Sequence, residues 1–344
     1  MKRATIHGRI VLLTLAACAV SAAAQNVKIT PLGSHTGELC SRDRATVFED
    51  PTGVRILYDA GASVTGGEDP RLGAVHVVLL SHAHGDHIGD QKLKAQDAGT
   101  CDMPELVSAA PNSTTGEIAA AKNSAVIMSS PMAVFIGKKI ETIKSKPTGN
   151  CPQTGEDLVA PFAAPCLATV HIGGTRAVKT ANAARAVEIT AVTAAHESTV
   201  PRSLLSDPER KNLEADNVSV TLGPSTGYVI KFTNGLTVYL SGDTALHTEM
   251  KSLVNEYHKA NLMLLNLGYS AITAQSGAYA ANELVRPASV IVSHVNEGAT
   301  TAGKVKPASH TASFIGTVKG RPVYPALSGK TMEFDGDGKC VAGC

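Results

Sequence analysis

The 344-residue chain contains no tryptophan, and aromatic residues make up only 4% of it. Its core must therefore be filled by Val, Leu, Ile and Ala. No Cys-x-x-Cys pair occurs, which argues against a zinc ribbon. No Gly-x-Ser-x-Gly elbow occurs, so a serine nucleophile of that kind has no seat. No basic run appears anywhere, which removes the electrostatic footprint expected of a nucleic-acid binder. Past the N-terminus no apolar stretch approaches the roughly 20 residues needed to span a bilayer. Internal repeats and low-complexity tracts are absent too. A chain of this length can bury a sizeable core, as one large domain or two ordinary ones.

What is present begins with an export signal. Lys2, Arg3 and Arg9 precede an apolar run from Ile10 to Val20, and Ala22 and Ala24 fit an A-x-A cleavage site before Gln25. The expectation is a signal peptide over 1–24 and a periplasmic or secreted chain from 25 to 344. The run is too short for a membrane anchor. The "LAAC" ending at Cys18 resembles a lipobox, so a lipoprotein is the alternative product. Cleavage removes three cations and no acid, turning 31 Lys+Arg against 30 Asp+Glu into 28 against 30. Cys40, Cys101, Cys151, Cys166, Cys340 and Cys344 remain. An even number of cysteines in an oxidising compartment favours disulfides, with fifteen pairings open. Cys340 with Cys344, and Cys151 with Cys166 or Cys101, are the combinations the spacing suggests.

Short β-branched runs bounded by Gly, Pro, Asn or Asp read as strands: 27–30, 45–49, 54–58, 75–80, 187–192, 228–232, 236–240, 262–267 and 290–292. Asn234-Gly235 and Pro51 to Gly53 read as hairpin turns. Helices are expected at 115–123, at 246–259 with Thr244 as N-cap, at 278–285 before Pro287, and at 309–318. The stretch from about 91 to 185, with several prolines and clusters of Gly, Ser, Asn and Thr, contains the 115–123 helix and some short strands, and reads as an insertion between two sheet halves lying over a face or rim.

Chemistry concentrates in Ser81-His82-Ala83-His84-Gly85-Asp86-His87, directly after the apolar run 75–80. Neutral imidazoles with a carboxylate suit zinc-like ions. A tight loop can give His82 and His84 to one ion and leave Asp86 and His87 for a neighbour. Three other strand-like runs end in comparable residues: His196 after 187–193, Asp243 after 236–240, and His294 after 290–292. Sites form beyond the carboxyl ends of strands, so these four ends are expected to converge.

The series His82-x-His84-x-Asp86-His87, His196, Gly242-Asp243-Thr244 and His294 resembles the metallo-β-lactamase superfamily, over about residues 27–294. The resemblance implies an α+β fold, an αββα sandwich of two packed mixed sheets with helices outside. It implies two divalent metal ions, with zinc favoured and iron or manganese as alternatives. His82, His84 and His196 would hold one ion, Asp86, His87 and His294 the other, and Asp243 would bridge them. Asp59 in "ILYDAG" would steady a ligand histidine. An Asp at position 243, rather than Cys or Ser, resembles lactonases, phosphodiesterases and tRNase Z more than true β-lactamases. The segment from Asn266 through Glu297 is loosely similar to the L-ascorbate-6-phosphate lactonase-like branch.

The activity so implied is hydrolysis of a small ester- or lactone-like molecule by a hydroxide bridging two metals, with Asp86 orienting it. The alternatives are a phosphodiesterase or nuclease of the same fold, a β-lactamase, or an inactive metal-binding protein. Tyr269 and Glu297 are candidates for the general acid, and His35 for the rim. The expected partner is a small-molecule substrate, with no nucleic acid and no membrane span.

Overall fold

A computed structural model describes residues 25–268 and 271–344, together with Met1. Among these, two mixed sheets pack face to face. The first has eight strands, in the order Cys166–Val170, Ala125–Ser129, Val77–Leu79, Arg55–Tyr58, Thr46–Glu49, Val27–Pro31, Met332–Phe334 and Cys340–Ala342. Its first four strands run parallel and the rest pair antiparallel. The second sheet has nine strands: Val323–Pro325, Ser289–Ser293, Leu262–Asn266, Thr237–Leu240, Thr226–Lys231, Val187–Thr193, Thr175–Thr180, Asp157–Ala160 and Gln153–Thr154. This is the sandwich expected from the sequence.

Side-chain alternation assigns each strand residue to one of two cores. Ile56, Tyr58, Val77 and Leu79 face inward, against Ile189, Tyr228, Ile230, Val238 and Leu240 of the second sheet. Their neighbours Leu57, Val78 and Val126 face outward, under helices Thr114–Lys122 and Ser130–Lys144. Both faces are covered, so these strands read as continuous apolar runs instead of alternating ones. The outer face of the second sheet carries helices Met250–Tyr257, Ala274–Tyr279 with its continuation Ala280–Val285, and His310–Thr317.

Several local expectations are corrected. Thr244 does not cap the helix after it: its hydroxyl accepts from Ala195 N at 2.9 Å and donates to Ala245 O. The helix starts later, at Met250, and is wound as a π-helix. The helix expected from 278 begins at Ala274, where the Thr273 side chain accepts from Ser276 N. Residues 91–185 are not mainly a rim elaboration. They supply Ala125–Ser129 and Cys166–Val170 to the first sheet and three strands to the second. Only the hairpin Gln91–Leu93 with Leu106–Ser108 forms a separate two-stranded ribbon. The 15-residue helix Ser130–Lys144 also escaped notice, because Pro131, Val134 and Gly137 break up a stripe made by Met132, Ile136 and Ile140.

The topology places the site. Val187–Thr193 is antiparallel to Thr226–Lys231, which is antiparallel to Thr237–Leu240; the latter is parallel to Leu262–Asn266 and Ser289–Ser293. The strands leading to His196, Asp243 and His294 therefore all finish at one edge. The loop from the first sheet is pinned to that edge by bonds between sheets. Tyr228 Oη donates to Leu80 O at 2.7 Å, and Thr226 N donates to Ser81 O at 3.0 Å. The expected signal peptide lies outside the described residues. Among those described, no helix is long and apolar enough to cross a membrane.

Candidate metal centre

After Leu80 the chain leaves the first sheet through Ser81 and His82 and makes a single helical turn, Gly85–Ile88. The His84 carbonyl accepts from the amides of His87 and Ile88. This turn aims Asp86 and His87 to one side while His82 and His84 remain in extended chain. Its partner, the 59–61 bend, must come very close. Gly61 has φ +49°, and a Cβ there would lie 2.1 Å from Asp86 O, so only glycine fits. On the opposite wall Gly242, at φ +59°, turns the backbone just before Asp243.

All seven residues singled out from sequence come together. His82, His84 and His196 form one group whose ligand atoms lie within 4.8 Å of one another; Asp86, His87 and His294 form a second. His82, His87 and Asp243 form a third group that connects them. Asp243 Oδ2 stands 3.2 Å from His294 Nε2, 3.4 Å from His87 Nε2 and 3.9 Å from His196 Nε2. Its other oxygen, Oδ1, accepts from Asn266 Nδ2 at 3.1 Å, which fixes the direction of the carboxylate.

In the three-imidazole group the rings meet edge to face, with centroids 4.5 to 5.3 Å apart. His82 Nδ1 is bonded to Ser81 Oγ at 2.9 Å, while its Nε2 is buried without any hydrogen-bond partner. A buried imidazole nitrogen left bare costs free energy unless something else satisfies it. A metal ion fits that position and the donor set around it. Burial, followed by the charge of His87, holds the His82 pKa well below the ordinary imidazole value. His84 is also lowered, by burial and by His196. Neutral imidazole is the ligating form.

The other group is densely charged. His87 Nδ1 bonds Asp59 Oδ2 at 2.8 Å, and Asp59 also accepts from Ser81 N and Ser81 Oγ. Asp59 thus bonds His87, one of the seven residues singled out from sequence. Burial opposes a charge on His87, but Asp243, Asp86 and Asp59 together outweigh it and raise its pKa well above the ordinary value. Burial likewise opposes charge on Asp86 and Asp243. For Asp86, His87, Arg44 and His294 prevail; for Asp243, His294 and His87 do. Both carboxyls are held well below the usual range.

Other candidates are placed elsewhere. Glu297 accepts from the amides of His310 and Thr311 at the start of a helix. His35 contacts Ser34 Oγ and Gly99 O and is hydrogen-bonded to none of the seven residues. Tyr269 lies outside the described residues. Three contributors were not foreseen: Arg44, Asn266 and Asn296. Beside Asp86 opens a chamber of about 480 Å³, lined by Ser41, Arg42, Asp90, Gln91, Asp102 and Asn296 among others. The hairpin tip that walls it is tied down: Ser41 N donates to Cys101 O, and Gly298 N donates to Asp102 Oδ1. Cys40 lies beside Cys101, Cys151 beside Cys166, and Cys340 beside Cys344, with Cα atoms 4.7, 4.7 and 6.4 Å apart.

A sandwich with its His/Asp cluster across the ends of both sheets defines a metal-dependent hydrolase, and comparison with known proteins agrees. A family model for the β-lactamase superfamily domain matches residues 38–294. The chain belongs to the metallo-β-lactamase superfamily. It is similar to a UPF0173 metal-dependent hydrolase of Polynucleobacter asymbioticus, with 24% identity over 346 aligned positions, covering 97% of this chain and 99% of that protein. A UPF0173 metal-dependent hydrolase of Cupriavidus necator is 24% identical over 312 positions, 88% of this chain and 89% of that one. Among solved structures, Igni18, a metallo hydrolase of the archaeon Ignicoccus hospitalis, shares the fold with a TM-score of 0.53 at 21% identity, over 90% of this chain and 99% of its own.

Proposed function

We propose that this chain is an exported hydrolase of small, polar ester- or lactone-like substrates, working with two divalent ions, most simply zinc. His82, His84 and His196 would hold one ion, Asp86, His87 and His294 the other, and Asp243 would join them. The observation that carries this reading is the position of Asp243 Oδ2, facing both histidine groups at 3.2 to 3.9 Å. Such ions supply an acidified water and polarisation of the acyl oxygen. The residues of the chain do the rest. Asp59 and Ser81 orient His87, Asn266 fixes Asp243, and Asp86 stands at the mouth of the polar chamber, where it can orient a nucleophilic water. The small size and hydrophilic lining of that chamber support a compact substrate bearing hydroxyl or charged groups.

Export and periplasmic residence follow from the N-terminal signal, and pairing of the three neighbouring cysteine couples as disulfides accords with it. The test is a panel of chromogenic ester, lactone, phosphodiester and β-lactam substrates given to metal-loaded protein, with His84→Ala as control. Turnover of ester or lactone that is lost in His84→Ala supports the reading. Turnover confined to phosphodiester or β-lactam, or to none, refutes it.

A further inference from the structure

Arg44 is buried, its side chain 2% exposed, and it ends against Asp86. A guanidinium has five N–H donors, and here each has an acceptor. Nε and Nη2 donate to Asp86 Oδ2 at 3.1 and 2.9 Å. Nη2 also donates to Asn296 Oδ1 at 2.6 Å, and Nη1 donates to the carbonyls of Ser41 and Asp43 at 3.2 and 3.0 Å. The guanidinium is therefore fixed, with no rotamer that keeps these bonds and leaves Asp86.

The oxygen that Arg44 holds is the one facing the histidines. Asp86 Oδ2 lies 3.3 Å from His294 Nε2 and 3.9 Å from His87 Nε2. An ion among Asp86, His87 and His294 must share that oxygen with two charge-assisted hydrogen bonds, or draw the carboxylate round to its other oxygen. It must also sit near a permanent positive charge. Among the described residues no arginine or lysine is paired with a member of the three-imidazole group. Among the described residues, its charged neighbours are His87, Asp86, Asp243 and Glu197.

We infer that Arg44 makes the two metal positions unequal, weakening the Asp86/His87/His294 position so that it fills second and empties first. The inference rests on the two-ion reading above. Arg44 acts through Asp86 and is not a catalytic residue; its effect is read in metal binding. Hydrogen bonds from a cation withdraw charge from a carboxylate ligand, the reverse of an outer partner that makes a ligand more basic.

The experiment is stepwise Co²⁺ titration of metal-free protein, followed by absorption spectroscopy and by metal content after dialysis. Native protein, Arg44→Gln, Arg44→Met and Arg44→Lys are compared. Native protein is expected to take up its two equivalents in separated steps. Either neutral substitution tightens the second step by about 10- to 100-fold, the range typical of groups that touch a ligand. Arg44→Lys keeps the charge and keeps the second step weak. The two neutral variants differ in polarity, so one that misfolds leaves the other to be read. A second step that is unchanged or weaker in a folded neutral variant overturns the inference, as does an equal shift in Arg44→Lys. In either case two bound equivalents leave the two-ion reading intact. A second equivalent absent from every variant sinks that reading, and this inference with it.

Discussion

The two halves of the metal centre solve the same problem differently. His82, His84 and His196 are an all-imidazole set, with a buried His82 nitrogen that nothing in the protein hydrogen-bonds. Asp86, His87 and His294 are a charged set in which protons and hydrogen bonds already balance the carboxylates, through Asp59 and Arg44. One half leaves His82 Nε2 bare at its centre, whereas in the other the Asp86 carboxylate is already bonded by Arg44, although His294 Nδ1 there is also buried without a partner. The lesson is that two adjacent sets of candidate ligands need not be equivalent, even where each side has three. Asp243 is the one residue both halves face.

The comparison breaks most severely at Asp243. Asp243→Asn is expected to lower kcat/KM by about 10³-fold or more, the rate equivalent of several kcal/mol of metal-assisted stabilisation. It should also reduce metal content below two ions per chain, which elemental analysis checks. His84→Ala strikes the all-imidazole half alone. There one equivalent of metal should vanish while the other remains, with activity lost nearly as fully. Retention of two equivalents would mean the halves are not separable. Asp59→Asn acts on the charged half from behind, through His87. Its expected cost is about 10- to 100-fold in metal affinity or activity.

The halves should also answer pH in opposite directions when metal-free. The His82 pKa is lowered in the folded chain, chiefly by burial. The unfolded chain therefore takes up a proton that the folded chain refuses, and stability is lost as pH falls below about 6.5. The His87 pKa is raised, because Asp243, Asp86 and Asp59 override burial. Its contribution is complete below about 6.5 and is lost as pH climbs through the folded value. Thermal melts of apo protein should show native losing ground to His82→Gln from pH 7.5 to 5.5, and to His87→Gln from 6.5 to 9. Parallel trends would refute the contrast. The smallest effect lies outside both halves. Ser309 accepts from Ala312 N at a helix start, and Ser309→Ala should cost about 1 kcal/mol with kcat unchanged.

The seven histidines and aspartates were legible because four sit in one short run and each of the others follows an apolar strand. That pattern is local, and chain order carries it. The strands that lead into the site, from Val77–Leu79 to Ser289–Ser293, were legible for the same reason. Arg44, Asn266 and Asn296 were not, since their roles depend on partners brought near only by folding; Arg44 meets Asn296 across 252 positions. Nothing in "SRDRA" marks Arg44 as buried and Arg42 as exposed. Ala125–Ser129 and Cys166–Val170 were hidden for another reason: they are five-residue strands among prolines and serines, recognisable only beside their neighbours.

The seam between the sheets, where Thr226 N meets Ser81 O, has a consequence for biosynthesis. A ribosome delivers the His82–His87 loop early, but the strand that secures it comes more than a hundred residues later, and His294 later still. During that interval the nascent loop exposes imidazoles to any passing cation without the geometry to discriminate. Faithful loading has to wait for the second sheet to close, so metal choice is made where the finished chain comes to rest.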